Sequence, residues 1–560
     1  MDYYIGIDIG TSKVKSVLFD ADFNELQIES ANTVTYSPQP GYAEQNMYHV
    51  WDGVLSTLKT LAASPLLHHG RVRAIGLTGQ GEGVWLSDRH GQPIRQAILW
   101  SDTRTAEQVH QLKQQPNLEA TLFPETGSPL LPCNSAQQLR WLTQHQPDTL
   151  NNADYFFFAK DWVRFRLTGQ ANLELTDAGT SLLDLHSETL SKTVLDKLDL
   201  HAIRPLFPPL LYPDDVAGTL SDAIAAQTGL PAGIPVCAGA LDVSAAALGI
   251  GAIHDGDIFT ILGTTCCTGI VCRGLTQVSL QTRFVAHAWP GHYLNLFAMQ
   301  SGTPNIDWAL STLTDDADFQ TINARIARVP PGSGGVFYQP YLNGERAPFY
   351  STSARAGFFG IEQSTTNAHL LRAVFEGLAY AITDALSGYP THGDLYIAGG
   401  GAASAIWLQI IADCTGRRVI ASSVKELSAC GAARLAALSI GESANMVPSA
   451  NAQASTFLPD ADAHRQYQTL FPIFRQLRDQ LQPLWQARAQ ALNALDNHNA
   501  ARSYTAPSSQ ESLASLRRVL TYGLSPVPAP TRSTSISRPH AAEVFRCFTR
   551  PDAMPMPQQN

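Results

Sequence analysis

Cysteine is sparse in this 560-residue chain, and its eight copies form no metal-binding pattern. Cys266 and Cys267 lie close to Cys272, yet they make no CxxC pair and have no histidines beside them. That excludes a zinc site of recognisable spacing and leaves the thiols reduced rather than bridged. Long apolar runs are missing too. None reaches the roughly 20 residues that a membrane-spanning helix requires, and Met1 runs straight into a strand pattern instead of a basic and then apolar leader. Both absences lead us to expect a cytoplasmic protein. Positive charge is in deficit: Lys and Arg number 38 against 48 Asp and Glu, a net charge of −10, with a pI near 5.9. Such a balance argues against a polyanionic partner such as nucleic acid. The chain is also too long for one core, so two or more domains are expected.

The amino-terminal stretch MDYYIGIDIGTSKVKSVLFD sets a charged residue, Asp8, inside an apolar run. An ionised carboxylate in apolar surroundings neutralises, finds a cation or binds a metal. Tyr4 to Ile9 reads as a buried strand, Gly10-Thr11-Ser12 as a tight turn, and Val14 to Phe19 as a returning strand. Gly10 admits a ligand close to the backbone, Thr11 and Ser12 offer hydroxyl and amide donors, and Lys15 carries a point charge suited to phosphate. A carboxylate beside such donors suggests magnesium. Taken alone, the motif is equally an ordinary hairpin with a solvated aspartate.

Further along, strand-like VRAIGLTGQGEGVWLSD (72–88) precedes helix-like TAEQVHQLKQ (105–114), an α/β alternation. A second strand-turn-strand unit, GDIFTILGTTCCTGIVC (256–272), places Gly263-Thr264-Thr265 at its tip and echoes the first. Two such units far apart suggest two related α/β domains facing a shared cleft. In LYIAGGGAASAIWLQIIADCTGRRV (395–419) a strand runs into Gly399-Gly400-Gly401 and then a helix starting near Ala402 or Ser404. The arrangement suits backbone lying flat on a nucleotide, or merely a tight β-to-α turn.

Together these segments resemble the FGGY carbohydrate kinases, whose fold is shared with actin and hexokinase. The likeness runs from Met1 to about residue 490. It includes GYAEQNMYHVW (41–51), AILWSDTRT (97–105), KDWVRFRLTG (160–169) and, most specifically, the run from Ala356 to Glu376, AGFFGIEQSTTNAHLLRAVFE. The resemblance implies two ribonuclease-H-like domains flanking an ATP and sugar cleft, at 1–244 and 245–455, with a carboxy-terminal helix at 456–497. It implies ATP and Mg2+ as cofactors and a small polyol or ketose as the molecular partner, with neither nucleic acid nor membrane, and it allows a homodimer. Roles follow by position. Asp242, in CAGALDVSAAALGIG (237–251), would be the catalytic base, although by itself it also fits a helix N-cap. Asp8 would orient the magnesium through water. Gly10, Thr11, Ser12 and Lys15 would grip the phosphates from one side, Gly263 and Thr264 from the other, and Gly400, Gly401 and Ala402 would line the adenosine pocket.

Substrate choice falls on LTGQGEGVWL (77–86), with Gln80, Gly81 and Glu82 as candidates and Trp100 and Asp102 nearby. Glycerol kinases resemble this loop but carry Arg-Glu where this chain has Gly81-Glu82, and D-xylulokinases carry Met-His. The Gln-Gly-acid-Gly pattern is similar to erythritol kinases, and SPQPGYAEQNM to L-xylulose kinases. We therefore expect an erythritol-like or L-xylulose-like substrate, with D-xylulose, ribulose or glycerol as alternatives. Gly81 should open space for a longer chain than glycerol, with Glu82 accepting from two substrate hydroxyls. Asp102 and Arg104 equally suit a structural ion pair. A non-catalytic ATP-binding sugar sensor is the alternative of another class, disfavoured because such a module needs no proton acceptor at Asp242. Residues 498–560, rich in Ser, Thr, Pro and Ala, read as a disordered tail.

Overall fold

Strand β1 (Asp2–Ile9) buries almost every side chain, as a strand does when both faces of its sheet are covered. The chain turns through Gly10–Ser12 into β2 (Lys13–Phe19), antiparallel to β1 with Asp8 opposite Lys15 and Ile9 opposite Val14. The expected hairpin is therefore present. β3 (Glu25–Asn32) adds antiparallel to β2, and β4 (Arg71–Gly79) pairs parallel on the far side of β1. β5 (Val216–Thr219), β6 (Pro235–Cys237) and β7 (Ala240–Leu241) complete a seven-stranded sheet ordered β5-β6-β4-β1-β2-β3, in which β7 also pairs with β4. This is a computed structural model, and it describes residues 1–275, 283–314, 319–389, 393–442 and 455–503.

A second sheet repeats the plan. β8 (Ile258–Leu262) and β9 (Cys266–Cys272) form an antiparallel hairpin, joined by β10 (Arg283–Ala286) and β11 (Tyr293–Met299) on one side. On the other side, β12 (Leu395–Ala398) and β13 (Val419–Ala421) are parallel and β14 (Ser455–Phe457) is antiparallel, in the order β10-β11-β9-β8-β12-β13-β14. In each sheet the first strand of the polar-tipped hairpin takes a parallel partner on its other side, so both hairpins occupy the same place in their sheets. Each sheet has its own large apolar core.

Six helices bear on function: α1 (Ala159–Thr168), α2 (Asp242–Ile250), α3 (Asn367–Leu386), α4 (Ala405–Thr415), α5 (Leu427–Ser439) and α6 (Ala461–Ser503). The tail expected from residue 498 begins inside α6 as far as Ser503, and 504–560 lie outside the described residues. α2 and α5 cross each other and join the lobes, with α5 packed on β1 and β4. Where α5 lies on β1 and β4 only hydrogen fits: a Cβ on Gly6 would overlap the Ala429 carbonyl, and one on Gly76 that of Ala432. The domain boundary expected at 244–245 falls within α2, which serves both lobes.

The FGGY-like run centred on α3 is a brace. Glu376 accepts hydrogen bonds from Gly332 N (3.0 Å), Ser333 Oγ (2.7 Å), Arg372 Nε (2.7 Å) and Tyr467 OH (2.7 Å), tying α6 to the second lobe. The described cysteines are free thiols, and no described helix is long and apolar enough to cross a membrane.

Candidate active site between the two lobes

Asp242 is the first residue of α2, placed there because β7 ends against β4 and the Ala- and Gly-rich helix follows at once. Its Oδ1 accepts from the Val243 N–H at 2.6 Å. Burial pushes its carboxyl up to about 6, opposed by that hydrogen bond and by the Lys160 charge. Asp8, at the end of β1, is pushed further, up to about 7: burial is the main cause, the Asp242 charge adds to it, Lys15 opposes and Glu426 adds. The Asp242 carboxylate is thus near enough for its charge to bear on Asp8. Among the described residues no side chain donates to it.

The sign of this arrangement is testable. A carboxyl whose folded pKa lies above its unfolded value stabilises the fold in acid, and that contribution is lost as pH rises through about 7. Asp8→Asn removes the titration, so the variant is expected to melt higher than the parent at pH 8 and no higher at pH 4. A full shift would be worth at most about 4 kcal/mol. Thermal melts at the two pH values decide it, and a variant less stable at pH 8 overturns the raised Asp8 carboxyl.

The tip of the first hairpin and the loop at 77–86 meet. Thr11 Oγ1 donates to Gln80 Oε1 (2.8 Å) and accepts from the half-exposed Trp100 Nε1 (3.0 Å), while Gln80 Nε2 donates to Gln45 Oε1 (2.9 Å). Gly10 closes the turn, its N–H donating to Lys13 O at 3.0 Å, and Ser12 O accepts from Thr33 N. Lys15 is held by Glu426 at 2.5 Å, a residue that the sequence reading did not single out. On the opposite lobe, Gly263 at the tip of the β8–β9 hairpin has its carbonyl held by Thr303, and Thr264 is exposed beside it. The glycine cluster lies against this hairpin: Gly399 takes φ +91° where a Cβ would overlap Leu262 O, and Gly400, Gly401 and Ala402 form a 3-10 turn before α4, whose cap is Ser404. Burial raises the Cys267 thiol, and the Asp242 charge adds to it, so the β8–β9 hairpin runs near Asp242.

Two substrate expectations need correction. Gly81 opens no space, because a Cβ there would collide with Leu241 Cδ1 and come to 3.0 Å from Asp177 Oδ1. The room left by the missing side chain is filled by the residue preceding Asp242. Glu82, held at φ +58°, is already saturated: Asn134 Nδ2 (3.0 Å) and Arg283 Nη2 donate to Oε1, and Ser135 N (2.7 Å), Ser135 Oγ (3.1 Å) and Ser181 Oγ (3.3 Å) to Oε2. Asp102 is fully buried in a fork with Arg104 (2.9 and 2.7 Å) and accepts from Ala43 N (2.6 Å), the structural pair weighed against a pocket role.

Beneath Asp242 lies a cluster that sequence reasoning missed. Lys160 Nζ, with no exposure, meets Asp161 (3.0 Å), Glu174 (3.1 Å) and Asp177, and Arg164 pairs with Asp161 at 2.7 Å. Glu174 holds Thr176, whose Oγ1 accepts the Leu241 N–H at 2.8 Å, and Arg164 donates to Ala238 O at 2.6 Å. The chain entering Asp242 is thus clamped at two points. The signal was in KDWVRFRLTG, where lysine and aspartate interrupt a buried helix.

The sequence profiles of the FGGY family of carbohydrate kinases match this chain over 3–249 for the N-terminal domain and 258–440 for the C-terminal domain. The chain is 30% identical over 498 residues to an L-xylulose/3-keto-L-gulonate kinase of Escherichia coli (strain K12), covering 86% of this chain and 97% of that protein. It is 31% identical over 520 residues to an erythritol kinase of Brucella abortus (strain 2308), covering 86% and 97%. The crystal structure of a xylulose kinase from Rhodospirillum rubrum superposes with a TM-score of 0.79 at 27% identity, over 86% of this chain and all of that one. The chain belongs to the FGGY family of carbohydrate kinases, two-domain α/β enzymes of actin- and hexokinase-like fold that phosphorylate sugars with ATP.

Proposed function

We propose that this kinase transfers the γ-phosphoryl group of ATP to a hydroxyl of a small polyol or ketopentose, with Asp242 as the base. The observation that carries the reading is the placement of Asp242: its neighbour Leu241 packs on the sugar loop at Gly81, and its charge is felt by Asp8 on the phosphate hairpin. A sugar hydroxyl is a poor nucleophile, so a carboxylate that orients it and accepts its proton is what the transfer needs. Thr11, Ser12 and Lys15 would contact the phosphates from the first hairpin, Gly263 and Thr264 from the second, and Gly400, Gly401 and Ala402 the adenosine. Asp8 would hold Mg2+ through water, and the mutual repulsion of Asp8 and Asp242 suits a divalent cation. That ion would supply charge neutralisation at the phosphates. The same reading places the enzyme in the cytoplasm and allows a homodimer.

Relatives named L-xylulose, xylulose and erythritol kinases support an acceptor of this class, and a panel tests which it is. ADP formation would be followed with glycerol, erythritol, other tetritols, pentitols, D- and L-xylulose, and D- and L-ribulose. We expect erythritol or L-xylulose to lead and glycerol to be poor. Glycerol at the head of the panel would overturn the substrate reading, and ADP formation independent of any sugar would overturn the kinase reading.

A further inference from the structure

The segment 300–305 lies backbone against backbone on the tip of the second hairpin. A Cβ on Gly302 would come to 2.5 Å from both Gly263 O and Thr264 O and to 2.7 Å from the Thr264 carbonyl carbon. Gly263 O accepts from Thr303 N (2.8 Å) and Thr303 Oγ1 (3.0 Å), and Gly302 O accepts from Asn305 Nδ2 (3.1 Å). Within the tip itself a single bond closes the turn, from Gly263 N to Thr265 O at 3.1 Å, and Thr264 and Thr265 are exposed. Where the tip stands is therefore set by the segment beneath it.

Glu345 fixes the start of that segment. Its Oε1 accepts from Gln300 N (2.5 Å) and Arg346 N (2.8 Å), and its Oε2 from Ser301 Oγ (2.6 Å) and Ser301 N (3.3 Å). The Ser301 hydroxyl also lies 3.0 Å from Pro340 O. Glu345 is only 3% exposed, and its backbone exchanges two hydrogen bonds with Ser351, each at 2.9 Å. No cation pairs with it among the described residues. Burial raises its carboxyl, and the hydrogen bonds from Ser301, Gln300, Arg346 and Ala347 lower it. A buried carboxylate is costly unless its oxygens are satisfied. Here each oxygen faces two donors, so an amide of the same shape would turn N–H groups toward N–H or O–H groups on one side. Only a carboxylate fits all of them.

We propose that Glu345 is a positioning residue for nucleotide binding: it holds 300–303, and through Gly302 and Thr303 it sets the place of the Gly263–Thr264 tip against the ATP phosphates. The assignment rests on the reading of that tip as a phosphate contact and deepens it.

The test uses the full chain with its Glu345→Gln and Ser301→Ala variants. Affinity for a non-hydrolysable ATP analogue with Mg2+ is read by calorimetry, and KM for ATP and for the best sugar by ADP formation. Glu345→Gln is expected to weaken analogue binding and raise KM for ATP by about tenfold, as buried donors left unmet do. KM for the sugar should stay within about twofold of the parent, because the loop at 77–86 is untouched. Ser301→Ala removes one donor and keeps the carboxylate, so it should lose about threefold in the same two constants. Nucleotide constants within about twofold of the parent in a folded Glu345→Gln overturn the proposal, even if the variant melts lower. An equal rise of both KM values overturns it too, since that marks a general loss of packing. If Glu345→Gln does not fold, Ser301→Ala decides alone. A parent that binds no nucleotide would instead remove the kinase reading on which the proposal stands.

Discussion

Asp242→Asn is expected to lower kcat by ~10²–10⁴-fold, the usual cost of losing a positioned base, with ATP affinity nearly unchanged. Asn keeps the shape and can still accept from Val243 N, so the helix start should survive. It cannot take the substrate's proton. The pH profile gives a second check: with Asp242 at about 6 and Asp8 at about 7, activity of the parent should rise with pH across that interval, as protonated carboxyls become carboxylates. Because the two charges repel each other, the two steps belong to the pair rather than to either residue. The residual rate of Asp242→Asn should lack the limb that belongs to the base. Turnover retained within tenfold of the parent would remove Asp242 from this role.

The second large effect is on the fold. Lys160→Met should destabilise the first lobe by about 3–5 kcal/mol, the range for removing one partner of a buried ionic cluster. Burial alone would push the Lys160 ammonium down, but Asp161, Asp177 and Glu174 hold its pKa above the ordinary lysine value. Without it three buried carboxylates face only Arg164. Urea unfolding followed by tryptophan fluorescence carries a signal from this lobe, since Trp51, Trp85 and Trp162 pack together in its core. Glu174 also holds Thr176 and through it the Leu241 N–H, so catalysis should fall as well, and more steeply than ATP binding. An unfolding curve indistinguishable from the parent would show the cluster to be dispensable.

Local chemistry made much of this legible. The hairpin from Asp2 to Phe19 was readable because its apolar residues and its Gly-Thr-Ser tip are neighbours in sequence. So was its echo at Ile258 to Cys272. The β-to-α turn at Gly399 was readable because only glycine tolerates its backbone there. Asp242 was found through resemblance, and its position at the first turn of α2 agrees with the helix expected to follow it.

The substrate loop was read less well, for a definite reason. Removing a side chain at Gly81 looks from the sequence like added space, but space depends on what packs there, and Leu241 comes from 160 positions away. Glu82 looked like a free acceptor because its donors, Asn134, Ser135, Ser181 and Arg283, are contributed by four distant segments. Lys160 and Glu426 were passed over for the same cause: each acquires meaning only from carboxylates or cations brought to it by the fold.

The sequence by itself determined the two hairpins, the glycine turn, the α/β alternation and the family, since each rests on patterns within some 20 residues. Tertiary structure alone decided which charges share a space. Coulomb and hydrogen-bond energies depend on separations of a few ångströms, and separation in the chain carries no information about them. Asp8 and Asp242 lie 234 positions apart, yet the Asp242 charge adds to the burial that raises the Asp8 carboxyl, because β1 and β7 both flank β4 in one sheet.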